Sequence, residues 1–205
     1  MTKNLNITKS TSLVLCGLFT ALMAVGAFIK IMLPIGIWQV TFSLQIFFAV
    51  MAGMFLGSKN GFYSVLAYVL VGLMGVPVFA HGGGIQYMMK PTFGFIIGFI
   101  AAAWISGLVT ESKSGKGMGK LILAAFLGEM AYYFFGLLYY FIMYNYVLTN
   151  GKSIGVVALI EVWFLSTVIP DFIICALAVR ENQGFVFIPL CRGELVPRTP
   201  TFPMS

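Results

Sequence analysis

The sequence predicts an all-α, polytopic membrane protein with six transmembrane helices. Of its 205 residues, 60% are hydrophobic and only 9% are charged, and the mean hydropathy is +0.99. Soluble domains carry charge on about a quarter of their residues. The apolar runs are continuous and lack the alternation of an outer-membrane barrel, so the spans are expected to be helices.

Six apolar runs have the length that a membrane helix needs, roughly 17 to 25 residues. They cover residues 12–33, 40–57, 61–79, 91–110, 119–146 and 154–180. The first run is too long for a signal peptide and is interpreted as a retained helix. Residues 1–180 are therefore expected to form one membrane domain. The tail, residues 181–205, includes Leu195-Val196-Pro197-Arg198, which resembles a protease-cleavage linker and is left out of the functional argument.

The distribution of lysine and arginine predicts the orientation in the membrane. Nine of the twelve fall on one side when chain ends and loops are assigned alternately, which places both termini in the cytoplasm. The net charge of +6 then reflects topology, and a nucleic-acid partner gains no support from it. The loop before the fourth span faces outward, together with the loops around Pro34–Gln39 and Asn145–Ser153.

The most distinctive segment is this outward loop, His81-Gly82-Gly83-Gly84-Ile85-Gln86-Tyr87-Met88-Met89-Lys90-Pro91-Thr92. It combines three glycines with hydrogen-bonding side chains, a cation and a proline. Such a segment suits a loop that closes over a small polar ligand. Ligand contact is therefore expected here.

Carboxylates inside predicted spans are the second source of candidate sites, because each costs on the order of 3 kcal/mol at mid-bilayer. Asp171 follows Pro170, which frees a carbonyl in the preceding turn, so a ligand role is favoured there over a helix–helix ion pair. Glu161 lies on an adjoining face of the same span. Glu129 is expected to pair with Lys120 or a tyrosine.

Small residues at four-residue spacing indicate close helix packing. Gly94, Gly98, Ala102 and Ser106 form such a stripe on the fourth span, for which packing inside the bundle is the favoured interpretation. The first span has similar stripes, Gly17 with Ala21, and Thr20 with Ala24 and Ala27. For these, internal packing and docking of a partner helix are both open.

Several kinds of chemistry have no support in the sequence. The three cysteines and the single histidine show no metal-site or redox spacing. Gly151-Lys152-Ser153 ends like a phosphate-binding loop, but Tyr146 stands where that motif needs glycine. No cofactor, metal, catalytic residue or ATPase activity of the chain's own is expected.

Residues 21–99 resemble the BioY family, the biotin-specific S components of energy-coupling factor (ECF) transporters. The matching stretches include Thr41-Phe42-Ser43-Leu44-Gln45, Gly72-Leu73-Met74-Gly75-Val76-Pro77, the glycines 82–84 and Pro91-Thr92-Phe93-Gly94, and the match returns at Ile169-Pro170-Asp171. The resemblance implies high-affinity biotin capture in a bacterial cell membrane. It also implies that a transmembrane scaffold subunit and cytoplasmic ATPases, which use ATP, complete the uptake.

The resemblance gives the candidate residues specific roles. Asp171 is expected to accept from the ureido N–H groups of biotin, and Gln86 or Tyr87 to donate to the ureido carbonyl. Lys90 or the backbone of Gly82, Gly83 and Gly84 is expected to meet the carboxylate. Aromatic walls are expected from Trp38, Phe79 and Phe93. Gly17, Ala21 and Ala24 are the expected docking surface.

Three departures and two alternatives accompany this interpretation. Phe93-Gly94 stands where the family has a glycine pair after Pro-Thr, and Phe95 stands where a tyrosine is usual. Ile174 stands where the family commonly has lysine, so that role is either absent or supplied elsewhere, with Lys90 as the expected substitute. A stand-alone ion-coupled transporter that uses Asp171 or Glu161 is the alternative function. An intramembrane enzyme ranks third, since no pair of facing carboxylates or histidines is visible.

Overall fold

The computed structural model describes residues 9–35, 38–112, 118–147 and 155. Four long helices make up most of this part: α1 (Lys9–Phe28), α2 (Gln45–Leu73), α3 (Phe93–Glu111) and α4 (Met118–Ile142). A 3₁₀ helix, Ile85–Met89, precedes α3, and a π-helical turn, Met143–Val147, extends α4. The predicted span at 154–180 lies outside the described residues apart from Gly155.

Helix α2 is folded back on itself at Gly57. That residue has φ +83° and ψ 175°, values that no helical residue adopts. A Cβ at Gly61 would lie 2.8 Å from the Cα of Gly53, although eight helical residues would separate the two by about 12 Å. The two arms of α2, residues 45–56 and 58–73, therefore run antiparallel. The reversal falls at the predicted boundary between the second and third spans.

Three helices in the described ranges are long and apolar enough to cross a membrane: Ser10–Phe28, Phe93–Glu111 and Met118–Val147. Each arm of α2 is shorter than these. The predicted count of six spans is therefore not confirmed, whereas the predicted bundle of apolar helices is.

A β-hairpin interrupts the helices and was not predicted. Strand β1 (Lys30–Ile35) pairs antiparallel with β2 (Trp38–Ser43), and Lys30 lies opposite Ser43. The prediction had ended the first span at residue 33 and begun the second at residue 40. Strand β2 is rich in β-branched and aromatic residues, which favour strands, whereas β1 has two isoleucines and a proline. The apolar character of both segments made them resemble helix ends. The all-α class is thus correct for the bundle but not for residues 30–35 and 38–43.

The small-residue stripe of the fourth predicted span packs inside the bundle, as favoured. A Cβ at Gly94 would lie 2.3 Å from the Cβ of Tyr139, and one at Gly98 would lie 2.7 Å from the carbonyl oxygen of Tyr132. Both glycines therefore let α3 approach α4 closely. Farther along, Ser106 is fully buried and its hydroxyl contacts the carbonyl of Val50, 3.3 Å away on α2.

A carboxylate fixes the turn between the arms of α2. Glu111, at the end of α3, accepts from the backbone N–H of Ser58 at 2.9 Å and from its hydroxyl at 2.6 Å. Ser58 begins the second arm, so Glu111 takes the role that an N-cap side chain normally has. Gly57 has φ +83°, a backbone conformation that residues with a side chain rarely adopt, so the turn favours glycine.

Candidate functional site

The β-hairpin, the 3₁₀ helix and the C-terminal end of α4 meet at one end of the bundle, here called the hairpin end. The ammonium of Lys30 on β1 donates to the carbonyl of Ala80, just before the glycine-rich loop. The hydroxyl of Tyr139 on α4 donates to the carbonyl of Met88 in the 3₁₀ helix, at 2.6 Å. The Glu111–Ser58 contact lies at the opposite end.

The glycine-rich loop holds its shape through its own backbone. Phe79 and Gly82 exchange two hydrogen bonds, of 2.9 and 3.1 Å, and the N–H of Gly84 donates to the carbonyl of Gly72 at 2.7 Å. Gly82 and Gly84 have φ values of +110° and +95°, which glycine adopts without strain. A Cβ at Gly83 would lie 2.2 Å from the carbonyl oxygen of Val76. The N–H groups of Gly82 and Gly84 thus serve the loop, and a ligand role for the three glycines stays a prediction.

A row of aromatic rings runs through the hairpin end. Phe79 lies 5.6 Å from Tyr68 and 4.8 Å from Tyr87, measured between ring centroids. Tyr87 in turn lies 6.5 Å from Phe93, which lies 5.8 Å from Tyr139. The structure therefore brings together three of the predicted site residues, Phe79, Tyr87 and Phe93.

A small cleft of about 50 Å³, open to solvent, lies beside this row. Aromatic and apolar side chains form most of its wall, with a few polar groups, as is typical of small-molecule sites. Its lining is Ser43, Gln45, Ala80, His81, Tyr87, Thr92, Phe95, Ile96, Phe99 and Tyr132. Of the predicted ligand-binding residues, Tyr87 lines this cleft, and Phe79 and Phe93 support Tyr87 from either side.

Buried polar groups at the base of the cleft were not predicted as site residues. Gln45, at the start of α2, is buried; its Oε1 accepts from the Ser43 hydroxyl at 3.2 Å and its amide donates to the Tyr68 hydroxyl. Tyr68 then donates to the carbonyl of Val78 at 3.0 Å. A glutamine before a long apolar run was the signal, since a buried amide needs partners. Gln45 belongs to the BioY-like stretch 41–45, but no role was predicted for it.

Tyr87 has a buried ring and a bonded hydroxyl. The hydroxyl makes hydrogen bonds with the Thr92 side chain and the backbone of His81. Burial raises the pKa of Tyr87, and these hydrogen bonds oppose the rise. The phenol therefore stays protonated at neutral pH and retains an O–H group, as the predicted donor role requires.

Three basic side chains lie at the mouth of the cleft. The Lys90 ammonium donates to the carbonyl of His81 at 3.1 Å and sits 4.7 Å from the centre of the Tyr87 ring, within cation–π range. Lys30 donates to the preceding carbonyl, that of Ala80. Burial lowers the pKa of His81, and the charges of Lys30 and then Lys90 lower it further. His81 is thus neutral at pH 7, between two cations.

The structure does not place every predicted residue. Asp171 and Glu161 lie outside the described residues, and for Trp38 only the backbone, in β2, is described. Gln86 is exposed and does not line the cleft. Its predicted ligand contact, like those of Asp171 and Trp38, stays a prediction.

The predicted docking residues lie on an outward face of α1, as far as the described chain extends. Gly17 and Ala21 are exposed, and a Cβ at Gly17 would contact nothing within 4 Å. Ala24 is half-buried and packs against the core. The Gly17–Ala21 stripe therefore differs from the stripe on α3, which is used for packing within the bundle.

Comparison with known proteins places these features in a family. The family model of the BioY family matches residues 1–182. The chain belongs to the BioY family.

Curated members of the BioY family match most of the chain. It is 41% identical over 164 residues to a "Probable biotin transporter BioY" of Lysinibacillus sphaericus, covering 80% of this chain and 81% of that protein. It is 39% identical over 153 residues to a "Biotin transporter BioY" of Thermotoga maritima, covering 74% and 85% respectively.

A solved structure has the same fold. It is described as the S-component for biotin from an ECF-type ABC transporter, determined at 2.1 Å. The superposition has a TM-score of 0.69 with 26% sequence identity, and covers 91% of this chain and 97% of the other. The family match and the structural match both confirm the family predicted from residues 21–99.

Proposed function

We propose that this chain captures biotin as the S component of an ECF-type transporter and so takes part in biotin uptake. The observation that carries the proposal is the match to the biotin S component over 91% of this chain, and a cleft at the hairpin end with aromatic and polar lining residues is consistent with it. The BioY relatives, which this chain matches over most of their own length, are named as biotin transporters and so support the same substrate.

The side chains that line the cleft match the chemistry of the ring, the alkyl chain and the ureido group of biotin. The thiophane ring and the alkyl chain are apolar and fit between aromatic walls, for which Tyr87, Phe99 and Tyr132 are available. The ureido group donates two N–H bonds and accepts at its carbonyl. Gln45 and Ser43 at the base of the cleft can exchange such bonds, and Asp171 is proposed to join them as the acceptor for the ureido N–H groups.

Binding and release are the whole of the proposed activity. Nothing covalent needs to happen to biotin, so we propose that the chain is not an enzyme and uses no cofactor. Energy would come from ATP hydrolysed by cytoplasmic partner subunits that act through a transmembrane scaffold. In this arrangement the hairpin end faces outward to receive biotin, and both termini face the cytoplasm.

Reconstituted uptake tests the proposal. The protein is incorporated in vesicles with or without scaffold and ATPase subunits, and labelled biotin is followed with and without ATP. Uptake is expected only with all subunits and ATP together. Uptake by this chain alone, driven by the membrane potential, would instead support the ion-coupled secondary transporter.

A further inference from the structure

Two lysines from different elements are held on consecutive carbonyls at the mouth of the cleft. Lys30, on β1, donates to Ala80, and Lys90, just after the 3₁₀ helix, donates to His81 at 3.1 Å. Ala80 and His81 both line the cleft, and their Cα atoms are about 3.8 Å apart. Both ammonium groups are therefore bonded to the same short segment of the cleft wall, Ala80-His81.

The hairpin register brings Lys30 to the cleft from a second direction. Lys30 pairs with Ser43 across β1 and β2, and Ser43 lines the cleft and donates to Gln45. Strand β1 therefore lies next to β2, whose Ser43 forms part of the cleft wall. The lysine side chain extends from there toward the mouth.

No described carboxylate balances these charges. The part of the chain that the structure describes contains two acidic residues, Glu111 and Glu129. Glu111 binds Ser58 at the opposite end, and Glu129 is buried within α4. The pKa of His81 is lowered by burial and then by the positive charges of Lys30 and Lys90, which is consistent with both lysines lying near His81.

We propose that Lys30, together with Lys90, binds the carboxylate of the substrate at the mouth of the cleft, so that strand β1 supplies a specificity-determining residue. The proposal rests on the proposed function and adds to it a direction of binding: the carboxylate lies at the mouth and the ureido ring at the base near Gln45. Each ammonium has three donors, so Lys30 can keep its bond to Ala80 while it binds the carboxylate. Binding thereby ties the hairpin to the ligand.

The proposal predicts selectivity for the free acid. Loss of a hydrogen bond that involves a charged group weakens binding roughly ten- to a hundredfold. Lys30→Met should therefore weaken biotin binding by about tenfold or more. It should weaken the binding of biotin amide, in which a neutral CONH₂ group replaces the carboxylate, by a smaller factor, because a hydrogen bond to a neutral group contributes less than one to a charged group.

The test measures dissociation constants of the purified full-length protein for biotin and biotin amide. The variants are Lys30→Met, Lys30→Arg, Lys90→Met and, as a matched control, Lys59→Met. Lys59 is an exposed lysine beside the Gly57 turn, at the opposite end. The ratio of the two constants is the readout, because a variant that is partly unfolded loses both affinities equally and keeps the ratio.

The ratio of the dissociation constant for biotin amide to that for biotin should fall strongly in Lys30→Met and Lys90→Met. It should stay at the wild-type value in Lys30→Arg and Lys59→Met. An unchanged ratio in Lys30→Met would overturn the assignment: Lys30 would then only fasten the hairpin to Ala80 or meet lipid phosphates. Wild-type protein that binds neither compound would instead refute the proposed function itself.

Discussion

Tyr87 is the residue at which the contacts of the described site converge. Its ring packs between Phe79 and Phe93, its hydroxyl bonds with Thr92 and His81, and Lys90 lies over its face. The sequence predicted Tyr87 and Lys90 within the distinctive loop 81–92, and Phe79 and Phe93, beside that loop, as aromatic walls. Lys30 and Gln45 could not be found in this way, because their bonding partners are distant in sequence. Ala80 is 50 positions from Lys30, and Tyr68 is 23 positions from Gln45.

Asp171 and Lys90 test the polar contacts predicted for biotin. Asp171→Asn replaces one charged acceptor oxygen with a donor, and Lys90→Ala removes the ammonium beside Tyr87. Each should weaken biotin binding about ten- to a hundredfold, since each removes a hydrogen bond to a charged group. Titration of the purified variants measures this. Wild-type affinity in both would remove these residues from the site.

His81 gives the hairpin end a pH dependence of known sign. Its pKa in the folded protein is lowered, so between the folded value and the unfolded value of about 6.5 the unfolded chain binds more protons. Wild type should therefore lose stability relative to His81→Gln as the pH falls through that window. The effect should be small because the side chain is exposed.

Thermal unfolding of wild type and His81→Gln in detergent, from pH 7.5 to pH 5, provides the measurement. The difference between the two midpoints should change in the acidic half of the range and stay constant above it. An unfolding midpoint of wild type that rises relative to that of the variant as the pH falls would contradict the assignment of a lowered pKa to His81.

At the scale of elements, the long helices follow from apolar runs, whereas their junctions follow from contacts distant in sequence. The turn in α2 was predicted at the correct place because glycine and polar residues separate two runs there. The hairpin was missed because strand and helix-end residues are equally apolar in a membrane protein, so hydropathy cannot separate them. The Glu111–Ser58 contact joins residues 53 positions apart, and no local pattern reports it.

Glu111 should stabilise the start of the second arm of α2. Glu111→Ala removes both acceptors from Ser58, which leaves an N-terminal helix donor without its partner. An expected loss of about 1 to 2 kcal/mol follows from the usual effect of losing an N-cap. Glu111→Gln retains an acceptor oxygen and should lose less.

The measurement is the unfolding midpoint in detergent, with biotin affinity as the control. Affinity should be unchanged among molecules that remain folded, because the contact lies at the end opposite the cleft. A Glu111→Ala variant as stable as wild type would show that the carboxylate does not hold the turn.

At the scale of the whole molecule, we predict that substitutions on the outward face of α1 impair transport without impairing biotin capture. Gly17 and Ala21 are exposed, and small residues let a second helix approach closely. Ala21→Trp should therefore block docking to the scaffold and abolish uptake while biotin binding is retained. The matched control is Leu123→Trp, at an exposed position on α4, which should keep both activities.

Biotin affinity of the purified variants, measured beside ATP-dependent uptake in reconstituted vesicles, gives the answer. Ala24→Trp should behave like Ala21→Trp, although Ala24 also packs against the core, so some loss of stability is expected there. Normal uptake by Ala21→Trp would show that this face meets lipid only. Loss of binding as well would show that it holds the bundle together.

The membrane class and family were accessible from sequence because both depend on features spread along the chain. Composition and six apolar runs indicate a polytopic protein, and ordered short motifs indicate the BioY family. The predicted orientation of the termini still depends on the assignment of nine lysine and arginine residues to one side of the membrane and three to the other. No single residue carries these conclusions, which is why the missed hairpin did not disturb them.

Titration of the purified protein with biotin and with thiamine, in the absence of nucleotide and partner subunits, tests the central claim most directly. Fluorescence from Trp38, Trp104 and Trp163 reports binding, and calorimetry gives the stoichiometry. The account predicts saturable, tight binding of one biotin and no response to thiamine. Absence of biotin binding, or equal binding of both vitamins, would contradict it.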